Sequence, residues 1–204
     1  MVKRWIFGAA GLVWVAALAA GISVLVVYDN SPGAVAHAAP ASWPADSNLP
    51  RVPGRATLVM LVHPQCPCSR ASVGELALLL AKAHGLSTTH VLFHRPAGVP
   101  ADWHRTDLWS TASTIPGATV TVDHDGIEAR LFGIATSGHT LLYDSEGRLR
   151  FTGGITASRG HSGDNAGRTS IVALLLKQPA HRRSTSVFGC SLLNRSTHTG
   201  ASER

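Results

Sequence analysis

Apolar and polar residues alternate along this chain in blocks that change period, and the blocks define the elements. Trp5 to Tyr28, "WIFGAAGLVWVAALAAGISVLVVY", carries no charge. At about 1.5 Å per residue, roughly 24 residues of helix span a bilayer core of about 30 Å. Residues 29–55 then lose all apolar periodicity and contain Pro32, Pro40, Pro44, Pro50 and Pro53, which predicts a flexible linker. Periodicity returns with "ATLVMLVH" (56–63), a continuous apolar run that predicts a buried strand. A helical pattern follows over 69–85, with Gly85 as its stop. The remaining blocks predict a strand at 89–96, a helix from Pro100 to Ser113, a strand and turn at 118–126 and a short helix at 127–134. Two strands over 139–156 meet across "DSEG", and a helix over 164–177 is capped by Asp164 or Ser162. The polar tail, 181–204, has one apolar patch, "VFGCSLL" (187–193).

This order makes the chain α/β. Right-handed crossovers give a parallel layer first, and the late hairpin adds antiparallel strands, so the central sheet is mixed and flanked by helices. The predicted division is a short cytoplasmic stretch (1–4), a transmembrane anchor (5–28), the linker (29–55), one domain (56–180) and a tail (181–204) whose VFGC segment docks. Lys3 and Arg4 keep the N-terminus in the cytoplasm, and Trp5 and Tyr28 fall where interfacial aromatic belts lie. A cleaved signal peptide is the competing reading, since "AVAHAA" (34–39) offers A-x-A sites, but the apolar run exceeds the usual signal core. On either reading the domain lies outside the cytoplasm, where disulfides persist.

Charge adds one exclusion. The formal net charge is +6, yet lysine occurs only at Lys3, Lys82 and Lys177, and no basic run is interleaved with aromatics. The arginine-, alanine- and glycine-rich composition fits a GC-rich bacterial genome and not a nucleic-acid interface. Asn194-Arg195-Ser196 fits a glycosylation sequon by pattern alone.

The chemistry concentrates in "LVHPQCPCSRAS" (61–72). Cys66 and Cys68 lie between a buried strand and a helix start, where unpaired N–H groups and the helix dipole favour a thiolate. Pro67, Ser69 and Arg70 line the same turn, and Arg70 brings positive charge. The alternatives for the pair are a strained local bridge or inert packing. His63 completes H-x-x-C-x-C, a soft-metal set for Cu(I) or Zn(II), although a strand-end histidine is commonly just solvated. In "GGITASRGHSGDNAGR" (153–168) the glycines and Asp164 suit a capping loop, while Arg159 and His161 also suit a site wall. Cys190, the third cysteine, either packs inertly beside Phe188, resolves a mixed disulfide or completes a metal site.

The element order and the strand-to-helix cysteine resemble the thioredoxin-like fold. Cys66 matches that fold's exposed nucleophilic thiol, and "FGIATSGHTLLYDSEGRLRFTGGIT" is similar to its second half. More narrowly, the CPC motif, "GGITASRGHSGDNAG" (153–167) and "VFGC" (187–190) resemble bacterial membrane-anchored RedB-like proteins. The resemblance implies a membrane-anchored thiol–disulfide oxidoreductase acting on a protein thiol or disulfide, with its domain in the periplasm of a bacterial inner membrane and no required cofactor. Two departures stand out. Ser69 replaces the resolving cysteine of C-x-x-C, which leaves Cys68 as the second thiol. Gly138 stands where the resemblance implies a cis-proline facing the thiol, and its absence would open the site to metal. Copper or soft-metal handling and a non-catalytic binding module are therefore the alternative functions.

Overall fold

The computed structural model describes residues 2–34 and 37–192. Leu193, the sequon at 194–196, the rest of the tail and residues 35 and 36 of "AVAHAA" lie outside the described residues. The elements are α1 (Val2–Asp29), β1 (Ala56–Val62), α2 (Ser69–Lys82), β2 (Ser87–Arg95), α3 (Asp107–Ser113), β3 (Ala118–His124), α4 (Ile127–Leu131), β4 (His139–Tyr143), β5 (Leu149–Gly154) and α5 (Ala166–Leu175). The five strands form one sheet in the order β3-β2-β1-β4-β5. β1, β2 and β3 run parallel, while β4 is antiparallel to both β1 and β5.

Because β1 is central, its side chains feed two cores by strict alternation. Leu58, Met60 and Val62 face Val73, Leu76 and Leu79 of α2 and Ile171 of α5. Val59 and Leu61 face the other way, towards Phe132, Ile134, Leu141 and Tyr143. α1 is of another kind: Phe7–Asp29 is long and apolar enough to cross a membrane, with a mean hydropathy of 2.4 and no burial against the domain.

The predicted linker is not the loose spacer that its proline content implies. Residues 37–50 of it form a strap across the second core. Trp43 packs edge-on against Phe132 and Tyr143, with ring centroids 5.0 and 5.2 Å away. The Trp43 N–H donates to Gly147 O (2.8 Å), the Leu149 N–H to Ala41 O (2.8 Å) and the Tyr143 hydroxyl to Pro40 O (3.1 Å). Glu128 accepts from the Ser47 hydroxyl and the Asn48 N–H. Helices cover only one face of this sheet fully, so the prolines serve as an extended cover that needs no ladder of its own.

Two helix starts also differ from the periodic pattern. The helix expected from Pro100 begins only at Asp107, because the Thr106 side chain accepts from the Trp109 N–H and caps it there. Asn165, not Asp164 or Ser162, caps α5 by accepting from the Arg168 N–H (2.7 Å). Asp164 instead pairs with Arg168 (3.0 Å).

Arg168 ties the loop after β5 to α2. Its guanidinium is buried against Glu75, which also accepts from the Gly163 N–H (2.8 Å) and the Asn165 amide (3.1 Å). Removing one member of such a pair leaves the other charge buried and unmatched. Glu75→Ala should therefore lower the unfolding free energy by about 3–5 kcal/mol, read by urea denaturation of the full chain in detergent. Glu75→Gln, which keeps a hydrogen-bond acceptor, should lose less.

Candidate thiol site

The C-terminal end of β1 delivers the chain into two tight turns. The Cys66 N–H donates to His63 O (3.1 Å), the Ser69 N–H to Cys66 O (3.1 Å) and the Arg70 N–H to Pro67 O (3.3 Å). Cys68 is the N-cap residue of α2, without a side-chain capping bond. Cys66 is 2 % exposed, and all three cysteines are free thiols.

A short hydroxyl relay supports Cys66. The Ser137 Oγ accepts from the His63 N–H (2.7 Å) and lies 2.6 Å from the Ser69 Oγ. Either hydroxyl can donate to the other, and when Ser137 donates, the Ser69 proton is free for the Cys66 sulfur. Burial alone pushes the Cys66 thiol up. Hydrogen bonds from the Cys190 side chain, from Ser69 and from their backbone groups outweigh it and hold Cys66 below the usual thiol range. Cys190 goes the other way. Burial and its bond to Cys66 push it up to about 12. Cys68 is also raised, by burial and then by the charge on Cys66, against the opposing pull of Arg159. Of the three thiols, Cys66 is thus the one prepared as an anion.

The wall opposite Cys66 is the tail. Residues 183–186 run along the edge strand β5: the Thr152 N–H donates to Arg183 O (3.0 Å) and the Gly154 N–H to Ser186 O (3.2 Å). A side chain at 154 would strike Ser186 O at 2.6 Å, which accounts for a glycine there. The tail then crosses to the loop before β4 and pairs with it in antiparallel fashion. Ser191 bridges Thr136, the Ser137 N–H donates to Cys190 O (2.8 Å) and the Leu192 N–H to Ala135 O (2.7 Å). Leu192 is buried in the second core. Gly189 passes so close to Ser137 that a Cβ would overlap the Ser137 carbonyl oxygen.

Arg159 joins this wall to the end of α1. Its Nη1 donates to Gly189 O (2.7 Å), its Nε to Tyr28 O (3.1 Å) and its backbone N–H to Asp29 O (3.0 Å). The guanidinium carbon also stands 4.9 Å from the Tyr28 ring centre, a cation–π distance.

Several residues singled out by motif lie elsewhere. Arg70 turns outward to an exposed ion pair with Asp107 (2.5 Å), so the positive charge beside the thiols is Arg159. His161 is exposed, and no hydrogen bond from its ring to a thiol occurs among the described residues. The His63 ring packs edge-on against Trp103 (5.4 Å) and accepts from the Gln65 N–H (3.2 Å). No group of three or more His, Cys, Asp or Glu able to hold a metal ion is found among the described residues. Gly138 has φ +85°, and its N–H donates to Leu61 O (2.7 Å), neither of which a proline permits. A cavity of about 620 Å³ opens at the opposite end of the sheet beside Arg55, Leu86, Glu146 and Lys177, and no cysteine lines it. Motif reading missed Ser137, because a lone serine in "TSGHT" carries no spacing signal.

A parallel β1–β2–β3 layer, an antiparallel β4–β5 hairpin and a cysteine-bearing turn from β1 into α2 decide the architecture. The fold is thioredoxin-like. No family model and no curated protein matches the sequence. Among solved structures, an uncharacterized conserved protein of Geobacillus kaustophilus is similar, at 17 % identity and a TM-score of 0.59, covering 82 % of this chain and 94 % of that one. A hypothetical protein of Sinorhizobium meliloti 1021 is similar at 20 % identity and a TM-score of 0.57, covering 79 % and 93 %. The pneumococcal exposed lipoprotein thioredoxin of Streptococcus pneumoniae matches at 17 % identity and a TM-score of 0.45, covering 61 % and 85 %.

Iodoacetamide should modify Cys66 first, with a rate that rises with pH and levels off below the ordinary thiol pKa of about 8.5. A hydrogen bond to the thiolate favours the anion, so Ser69→Ala should move that midpoint to higher pH. Peptide mapping of the alkylated protein across a pH series checks both, and first modification at Cys68 or Cys190 would reject the assignment.

Proposed function

We propose that the chain is a membrane-anchored, extracytoplasmic thiol–disulfide oxidoreductase in which Cys66 is the attacking thiol. The observation that carries this reading is the environment of Cys66: a strand-to-helix turn where Ser69, Cys190 and backbone groups stabilise its anion against burial. The thiolate is the nucleophile in disulfide exchange, and its attack on a substrate disulfide gives a mixed disulfide and one released thiolate. A second protein thiol then attacks Cys66 and frees the substrate. The C-x-C spacing makes Cys68 the nearest such thiol in sequence.

Contacts at the C-terminal end of α1 support a retained anchor. Arg159 holds Tyr28 and Asp29, the Gly33 N–H donates to Val187 O (2.8 Å), and the Thr136 hydroxyl donates to Ala34 O (2.7 Å). Cleavage within residues 34–39 would remove this packing from the edge of the site. A retained α1 holds the thiols close to the bilayer surface on the periplasmic side, so the substrates are protein thiols or disulfides presented near the membrane. The segments at 153–167 and 187–190, which carry the resemblance to RedB-like proteins, both contribute to the wall around the thiols and support placement in that group.

The full chain in proteoliposomes should catalyse reduction of a disulfide-containing peptide by a dithiol donor, and Cys66→Ser should return the rate to background. The same peptide tethered to lipid should react faster than the free peptide. Equal rates with Cys66→Ser and wild type would reject the reading.

A further inference from the structure

Cys66 is almost sealed in space at 2 % exposure, and the tail packs on the segment beside it. Residues 190–192 pair backbone-to-backbone with 135–137, the segment beside the thiol where an added strand finds free N–H and C=O groups. Peptides commonly bind to an edge of this kind by strand addition. Here the chain supplies its own strand, and that strand places Cys190 on Ser137, whose hydroxyl meets Ser69 in the turn that carries Cys66. Given the reading of Cys66 as nucleophile, we propose that Cys190 is its redox partner: the tail occupies the substrate groove as an internal strand, leaves for a substrate and returns to resolve the mixed disulfide.

Three observations separate Cys190 from Cys68 in this role. Cys68 is held at the N-cap of α2, and a bridge from it to Cys66 would close a small ring around Pro67. Cys190 comes from a distant segment and has no such ring to close. Second, Gly189 is the residue that allows the close approach to Ser137, and Arg159 grips the Gly189 carbonyl, so the segment has a defined docked position beside the thiol. Third, beyond the Arg159 grip, residues 190–192 are held by two backbone bonds to 135–137 and by Leu192, contacts of the kind a substrate strand would make in their place.

The chemistry balances. Cys66 thiolate attacks R–S–S–R′, forming Cys66–S–S–R and releasing R′S⁻, which takes a proton from water. Cys190 then gives its proton to water, its thiolate attacks the Cys66 sulfur and forms the Cys66–Cys190 disulfide, and RS⁻ leaves and takes a proton from water. The substrate disulfide gains two electrons and the two protein thiols lose them. A dithiol donor reverses the last bond.

The test uses the reduced full chain in detergent with oxidised glutathione as the disulfide, quenched by acid and mapped by mass spectrometry without reduction. Wild type should pass through a Cys66–glutathione adduct to a Cys66–Cys190 disulfide. Cys68→Ser should still give that disulfide. In Cys190→Ser the adduct should persist roughly tenfold longer or more, because an intramolecular thiol at high effective concentration has been lost. Gly189→Ala, which displaces the docked strand, should slow resolution in the same direction while both thiols remain. A Cys66–Cys68 disulfide as the wild-type product, or an adduct lifetime unchanged by Cys190→Ser, would overturn the proposal and leave Cys66 as nucleophile. Absence of any Cys66 adduct would overturn both readings.

Discussion

The antiparallel pairing of residues 190–192 with 135–137 is the contact on which the site depends. It brings Cys190 to the hydroxyl pair beside Cys66, which is 2 % exposed, so that Cys190 and Ser69 both favour the Cys66 anion. The same pairing places the Gly189 carbonyl where Arg159 can hold it. Burial and anion stabilisation act in opposite directions on a thiol, and here the added hydrogen bonds outweigh the lost hydration.

Arg159 extends that contact to the C-terminal end of α1. One guanidinium joins the carbonyl of Tyr28, the face of its ring and the carbonyl of Gly189. A planar, permanently charged group with several donors suits this task, and a lysine would satisfy only part of it. The loop that carries Arg159 is itself fixed from below by the buried Arg168–Glu75 pair and the Asn165 cap. The end of α1, the site wall and the helix that follows Cys66 are therefore mechanically connected through one short segment, 159–168.

The strap at 37–50 solves a different problem. An α/β sheet must cover both faces, and α4 is only five residues long. Trp43, Ala39 and Leu49 supply the missing apolar cover, with Leu192 completing it from the other end of the chain. Thus segments from both ends of the chain pack on the same face of the sheet.

Period-two and helical patterns determined the element order, because burial on two faces of β1 demands an unbroken apolar run and α2 shows its own repeat. The strand-to-helix handover placed Cys66 and Cys68 in a turn, and the uncharged run at 5–28 marked α1, each from local physics alone. What lay beyond the sequence were contacts between residues distant along it. Proline-rich composition reports a lack of ladder-forming capacity, not a lack of packing, so the strap read as a linker. Arg70 is near Cys66 in sequence but points to Asp107, whereas Arg159, some ninety residues on, faces the thiols. Ser137 and the approach of Cys190 to Cys66 likewise arise only when the loop before β4 and the tail pair across the fold. Their hydrogen bonds join groups whose separation along the chain carries no periodic signal, and tertiary structure alone decided them.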